Sequence, residues 1–198
     1  MIPVVNPPTL ICIQQEKWLT GQPINLEGEI GKEFKIEFSG ALLRIVRRNW
    51  QEQTYDFRKF LSSADNQEWR LVHAQSNEAC AYFLFSISGS SLGGDTRGSI
   101  SMCAAGVESD LLWIRIPFGT SVTALAAECV GSCFSSLDAI ETRLGSQRKW
   151  SGEYHSAVRH ARMKKIVVFD ESHPEFGLRV TENILVMDQP RHGKRNKI

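Results

Sequence analysis

Cys129-x3-Cys133 is followed, after 21 intervening residues, by His155-x4-His160. Two thiolates and two imidazoles are a ligand set that zinc takes tetrahedrally, and each close pair could supply one edge of the tetrahedron. The spacer exceeds the roughly dozen residues of a zinc finger, and the strand–strand–helix order of a finger is missing. The expectation is a chain without a cofactor, with zinc on Cys129, Cys133, His155 and His160 as the alternative.

A second constellation is the loop Gly89-Ser90-Ser91-Leu92-Gly93-Gly94-Asp95-Thr96. Around Ser91 it matches G-x-S-x-G, the spacing that lifts a serine nucleophile on a sharp turn, and Asp170 and His173 follow in the chain order of a triad. That turn must open into a helix, whereas Thr96-Arg97-Gly98-Ser99 leads toward another strand. The same loop nearly fits a phosphate-binding loop, but Asp95 stands where a lysine is needed and would repel the phosphates. His155 or His160 could also exchange protons near neutrality beside Arg159 or Arg162, as a small nuclease requires. These readings make a small hydrolase the enzymatic alternative, although no small-molecule substrate is evident.

Charge is the fourth signal. The whole chain carries a formal net charge of only +1. Residues 143 to 165 nevertheless hold Arg143, Arg148, Lys149, Arg159, Arg162, Lys164 and Lys165 against Glu153 alone. Arg191, Lys194, Arg195 and Lys197 follow near the C-terminus. Two basic segments on an otherwise acidic body point to a polyanionic partner. Arg148-Lys149-Trp150 adds an aromatic ring able to stack on an unpaired base. The expected interface is therefore Arg148, Lys149, Trp150, Arg159, Arg162, Lys164 and Lys165, with Arg191, Lys194 and Arg195 of the tail. Its partner would be a nucleic acid, RNA or DNA, alongside other protein subunits. A third reading is an adaptor whose tail docks on an acidic protein.

The elements that must position these residues are mostly strands. Phe34, Ile36 and Phe38 alternate with Lys35 and Glu37, which predicts a half-buried strand. Ser39-Gly40 then turns the chain into Leu42–Arg48. Further strands are expected at Glu68–His73, Cys80–Ser88, Gly98–Ala104, Leu111–Ile116, Lys165–Asp170 and Leu178–Met187. Helices are expected at Thr123–Val130, at 135–144 from the spacing of Leu137, Ile140 and Leu144, and at Glu153–Lys164. In the last helix His155, Arg159 and Arg162 would share one face.

The expected fold is thus α+β and predominantly antiparallel, sandwich- or jelly-roll-like, with a helical insertion near residues 120–164. Residues 1–190 would form a single domain and 191–198 a basic tail. Predicted core residues include Phe34, Ile36, Phe38, Leu43, Ile45, Phe83, Phe85, Leu112, Ile114, Val167, Phe169, Val180 and Ile184. The five cysteines are odd in number, and Met1–Leu10 has prolines but no basic region. A reducing intracellular compartment, cytoplasmic or nuclear, without a signal peptide is expected. The weakly polar run Val122–Phe134 contains Glu128 and is too short to cross a bilayer, so no integral membrane association is expected. The function expected first is a non-catalytic nucleic-acid-associated binding or assembly protein.

Overall fold

The computed structural model describes residues 22–24, 26, 28–47, 52–57, 61, 65–90, 107–118, 124–132 and 136–187. In chain order these form β1 (Gln22–Ile24), the short helix α1 (Gly28–Glu33), β2 (Phe34–Ser39), β3 (Leu42–Arg47) and β4 (Gln53–Asp56). Next come β5 (Asp65–Ser76), β6 (Cys80–Ser90), β7 (Val107–Pro117), β8 (Ala124–Ser132) and β9 (Leu137–Asp138). The last four strands are β10 (Ile140–Leu144), β11 (Gln147–Ser156), β12 (Ala161–Asp170) and β13 (Arg179–Met187). They make three sheets in chain order, β1-β2-β3-β4, β5-β6-β7-β8-β9 and β10-β11-β12-β13. Every pairing is antiparallel.

The sheets stack as three layers because the middle one has apolar side chains on both faces. In β6, Ala81, Phe83, Phe85 and Ile87 pack with Phe34, Ile36, Leu43, Ile45 and Phe57 of the first sheet and its flank. The alternate residues Cys80, Tyr82 and Leu84 pack with Trp150, Val167 and Phe169 of the third sheet. β7 divides in the same way, with Leu112 and Ile114 toward the first sheet and Leu111 and Trp113 toward the third. A strand covered on both sides reads as a continuous hydrophobic run rather than an alternation. Cys80-Ala-Tyr-Phe-Leu-Phe is such a run.

Side-chain hydrogen bonds hold the layers in register. The Trp69 indole donates to the Gly40 carbonyl at 2.9 Å, tying the β2–β3 turn to β5. Gly40 sits at φ 54°, a conformation that glycine adopts without strain. On the other side the Trp113 indole donates to the Pro174 carbonyl at 2.9 Å. A Cβ on Gly177, at φ 65°, would lie 3.3 Å from the same indole.

The predominantly antiparallel β character is present, with almost no helix among the described residues. The helical insertion near 120–164 is a correction. Its described residues form β8, β9, β10, β11 and the start of β12, joined by turns. Ala-rich β8 lies between cover on both faces, with Leu125 and Ala127 against one cluster and Ala124 and Ala126 against the other. Packing there overrides alanine's helix preference. Ile140 and Leu144 alternate with Glu141 and Arg143 along β10 and are largely exposed, so their helical spacing was incidental. Val180 and Ile184, expected in the core, are 40% and 53% exposed, because β13 is an edge strand. Phe38 is partly buried, and the other predicted core residues are buried. The expected strand Gly98–Ala104 and the tail 191–198 lie outside the described residues.

Between β9 and β10 the chain passes from the middle sheet to the third across Ala139, and β11 runs directly beneath this corner. A Cβ on Gly152 would lie 2.8 Å from Leu137 Cδ1, 2.9 Å from Ala139 Cα and 3.0 Å from the Asp138 carbonyl. Two of those three neighbours are backbone. Gly152→Ala is therefore expected to destabilise the protein by about 1–3 kcal/mol in urea titration. Gly145→Asn, at φ 61° in open space, should stay within about 0.5 kcal/mol.

Candidate functional site

The third sheet carries the residues singled out for chemistry, and its two faces differ. Along β11, Trp150 and Gly152 are buried, while Lys149, Glu153 and His155 are exposed. Along β12, Met163, Val167 and Phe169 are buried, and Arg162 is exposed. The register pairs Trp150 with Val167, Gly152 with Lys165 and Tyr154 with Met163 on the inner face. On the outer face it pairs Lys149 with Val168, Glu153 with Lys164 and His155 with Arg162. The predicted basic helix Glu153–Lys164 is thus a β-hairpin, and His155, Arg159 and Arg162 do not share a helical face.

Three expected interface residues point inward. Trp150 is 5% exposed and anchors the second hydrophobic cluster, so its ring is not offered to a base. Lys165 donates to the Cys129 carbonyl at 2.8 Å and pairs with Glu128 at 3.0 Å, joining the third sheet to β8. Arg148 bonds Glu141 at 2.8 Å and Glu171 at 2.5 Å, and Glu171 also holds Arg143 at 2.6 Å. Trp150 and Lys165 thus fasten the third sheet to the middle one, while Arg148 ties β11 to β10 and to the end of β12 within the third sheet.

The outer face presents Lys149, Arg162 and Lys164, joined by Arg179 of β13. The register places Arg179 opposite Val168, whose other neighbour is Lys149. Arg162 pairs with Glu153 at 2.5 Å, and Arg159 in the hairpin turn lies 3.7 Å from Glu182. Among the described residues Lys149, Lys164 and Arg179 form no ion pair. Arg179 was missed by the sequence reading. The alternation of Leu178 and Val180 that marked β13 also places it on the opposite face.

At one end of this face an open cleft of about 440 Å³ is lined by Ser136, Glu153, Tyr154, His155, Arg162 and Val186. His155 stands beside Arg162 there, whereas His160 sits at φ 47° in the turn. The zinc set is not assembled by its described members. Strand alternation puts Cys129 on the face of β8 turned toward the first sheet, while His155 is on the outer face of the third. Cys133 lies outside the described residues, and no group of three or more His, Cys, Asp or Glu converges among those described.

Ser91 also lies outside the described residues, but Asp170 and His173 meet other serines. Asp170 Oδ1 accepts from Ser172 Oγ at 2.6 Å, from Ser146 Oγ at 2.9 Å and from the Ser172 amide at 3.0 Å. These donors, the Ser172 hydroxyl foremost, hold the Asp170 carboxyl down at about 2. Ser172 Oγ is 3.0 Å from His173 Nδ1. A triad needs the histidine to accept the serine proton and the carboxylate to orient the histidine. Here the carboxylate itself accepts the serine hydrogen bond, which makes a turn rather than a nucleophile.

His73 of β5 packs edge-on against Phe169 at 5.3 Å, and its buried Nε2 has no hydrogen-bond partner among the described residues. Burial pushes its pKa below the ordinary value, partly opposed by the Glu171 carboxylate, while Arg148 and Arg143 push it further down.

Comparison with family models, curated proteins and solved structures found no match to this chain. No described helix is long and apolar enough to cross a membrane.

Two outcomes follow from these inward contacts. Because the folded pKa of His73 is depressed, its contribution to stability is present above about 6.5 and is lost as pH falls through the folded value. His73→Phe should therefore flatten the loss of urea midpoint between about pH 7.5 and 5. Lys165→Ala leaves Glu128 without its cation and should cost about 1–3 kcal/mol at pH 7, read from the same titration.

Proposed function

We propose that this chain is a non-catalytic nucleic-acid-associated protein that binds through the outer face of its third sheet and its basic C-terminal segment. The supporting observation is the set Lys149, Lys164 and Arg179 on three adjacent strands, exposed or half-buried and without carboxylate partners among the described residues. Lysine and arginine at such positions neutralise phosphates and release condensed counterions. Arg162 and Arg159 extend the face, although each already faces a glutamate. β13 ends at Met187 opposite Ala161, next to Arg162, and Arg191, Lys194 and Arg195 follow in sequence. Arg148, Trp150 and Lys165 are left out of the binding set because their inward contacts occupy them.

A second reading, a subunit of a larger assembly, has one observation in its favour. Ile184, Leu185, Val186 and Met187 are all exposed on the edge strand β13. Unpaired edges with apolar side chains are where further strands add.

Fluorescence anisotropy against oligonucleotides across a salt series tests the first reading. Binding should weaken steeply as salt rises, and Lys149→Ala and Lys164→Ala should each reduce the slope of log K against log salt by about one. Both variants should keep the parent unfolding midpoint. A binding constant indifferent to salt would overturn the proposal.

A further inference from the structure

We infer that the outer face of the third sheet takes the double-helical form of its partner and holds it by phosphates alone, without reading bases. This deepens the nucleic-acid reading and rests on it.

The first argument is the absence of a stacking platform. Sheets that bind single strands offer aromatic rings on which bases stack, each worth about 1–3 kcal/mol. Here both aromatics of β11, Trp150 and Tyr154, are on the inner face, and Tyr154 donates its hydroxyl to Glu182 at 2.8 Å. Among the described residues the outer face of the sheet presents no Phe or Trp, and its rings are confined to the cleft at one end, where His155 and the edge of Tyr154 line the wall. Between the cations it offers Thr142, Ser151, Ile166, Val168 and Thr181, which give an unstacked base little to rest on. Along the row of cations a single strand would gain only phosphate contacts and would still have to order its backbone.

The second argument is spacing. Lys149 and Arg179 flank Val168 in one cross-strand row. With strands about 4.8 Å apart, their backbones stand about 10 Å from each other. Lys164 lies four residues from Val168 along β12, about 13 Å at the rise of a strand. Cations about 10–13 Å apart match the phosphate rims of a B-form DNA major groove, about 12 Å wide. The long flexible stems of lysine and arginine absorb the remaining mismatch. The side chains between them do not protrude as a helix or a β-ribbon does when it enters a groove to read base edges.

The test is a competition in fluorescence anisotropy with the full chain. A labelled duplex of about twenty base pairs is displaced by unlabelled duplexes of unrelated sequence and by single strands of equal length. Duplexes of different sequence should compete within about threefold of one another, and single strands at least about tenfold less well. Charge reversal at Lys149 and Arg179 together should remove the duplex preference while the unfolding midpoint holds. Tight binding of one base composition, or of single strands over duplexes, would overturn this inference and leave the parent reading standing. No binding of any nucleic acid at low salt would overturn both.

Discussion

A strand with no wet face governs this architecture. β6 sends Ala81, Phe83, Phe85 and Ile87 to one side and Cys80, Tyr82 and Leu84 to the other, and all seven are buried. Each large side chain so buried contributes about 1.5–3 kcal/mol, a gain available only if both faces are covered. The N-terminal strands cover one face and the C-terminal strands the other. Among the described residues no further layer is stacked on their outer surfaces.

The two-residue period of a strand then sorts the basic segment. Lys164 and Lys165 are neighbours in sequence and opposite in role, one facing out and the other bound to Glu128 and the Cys129 carbonyl. Arg148 and Lys149 divide in the same way, with Arg148 held by Glu141 and Glu171. A charge count over the segment cannot separate these pairs. Lys165 ties the third sheet to β8, Arg148 ties β11 to β10 and to the end of β12, and together these contacts hold Lys149, Lys164 and Arg179 on a common face.

The strands that alternate cleanly or run continuously apolar were legible in the sequence. Phe34-x-Ile36, Leu43-x-Ile45, the Cys80 run and the Leu111 run fall where their patterns placed them, and the Ser39-Gly40 turn does too. The third sheet was harder to read because its inward positions are not uniformly hydrophobic. Trp150-x-Gly152-x-Tyr154 and Met163-x-Lys165-x-Val167-x-Phe169 both have period two, but a glycine set by close approach and a lysine set by an ion pair interrupt them. The alanines of β8 and the chance spacing of Leu137, Ile140 and Leu144 then imitated helices. The basic character of the site was therefore visible, whereas which cations face solvent was not. Arg179 was overlooked because it lies outside the dense run of charge.

Lysine reactivity tests the central claim most directly. The folded chain would be acetylated briefly, with and without saturating duplex, and each lysine quantified by mass spectrometry. Lys149 and Lys164 should react quickly and be protected by duplex, while Lys165 reacts slowly in both conditions. Equal reactivity of Lys164 and Lys165 in the folded protein would contradict the inward–outward sorting, and unprotected Lys149 and Lys164 on a saturated complex would contradict the binding face.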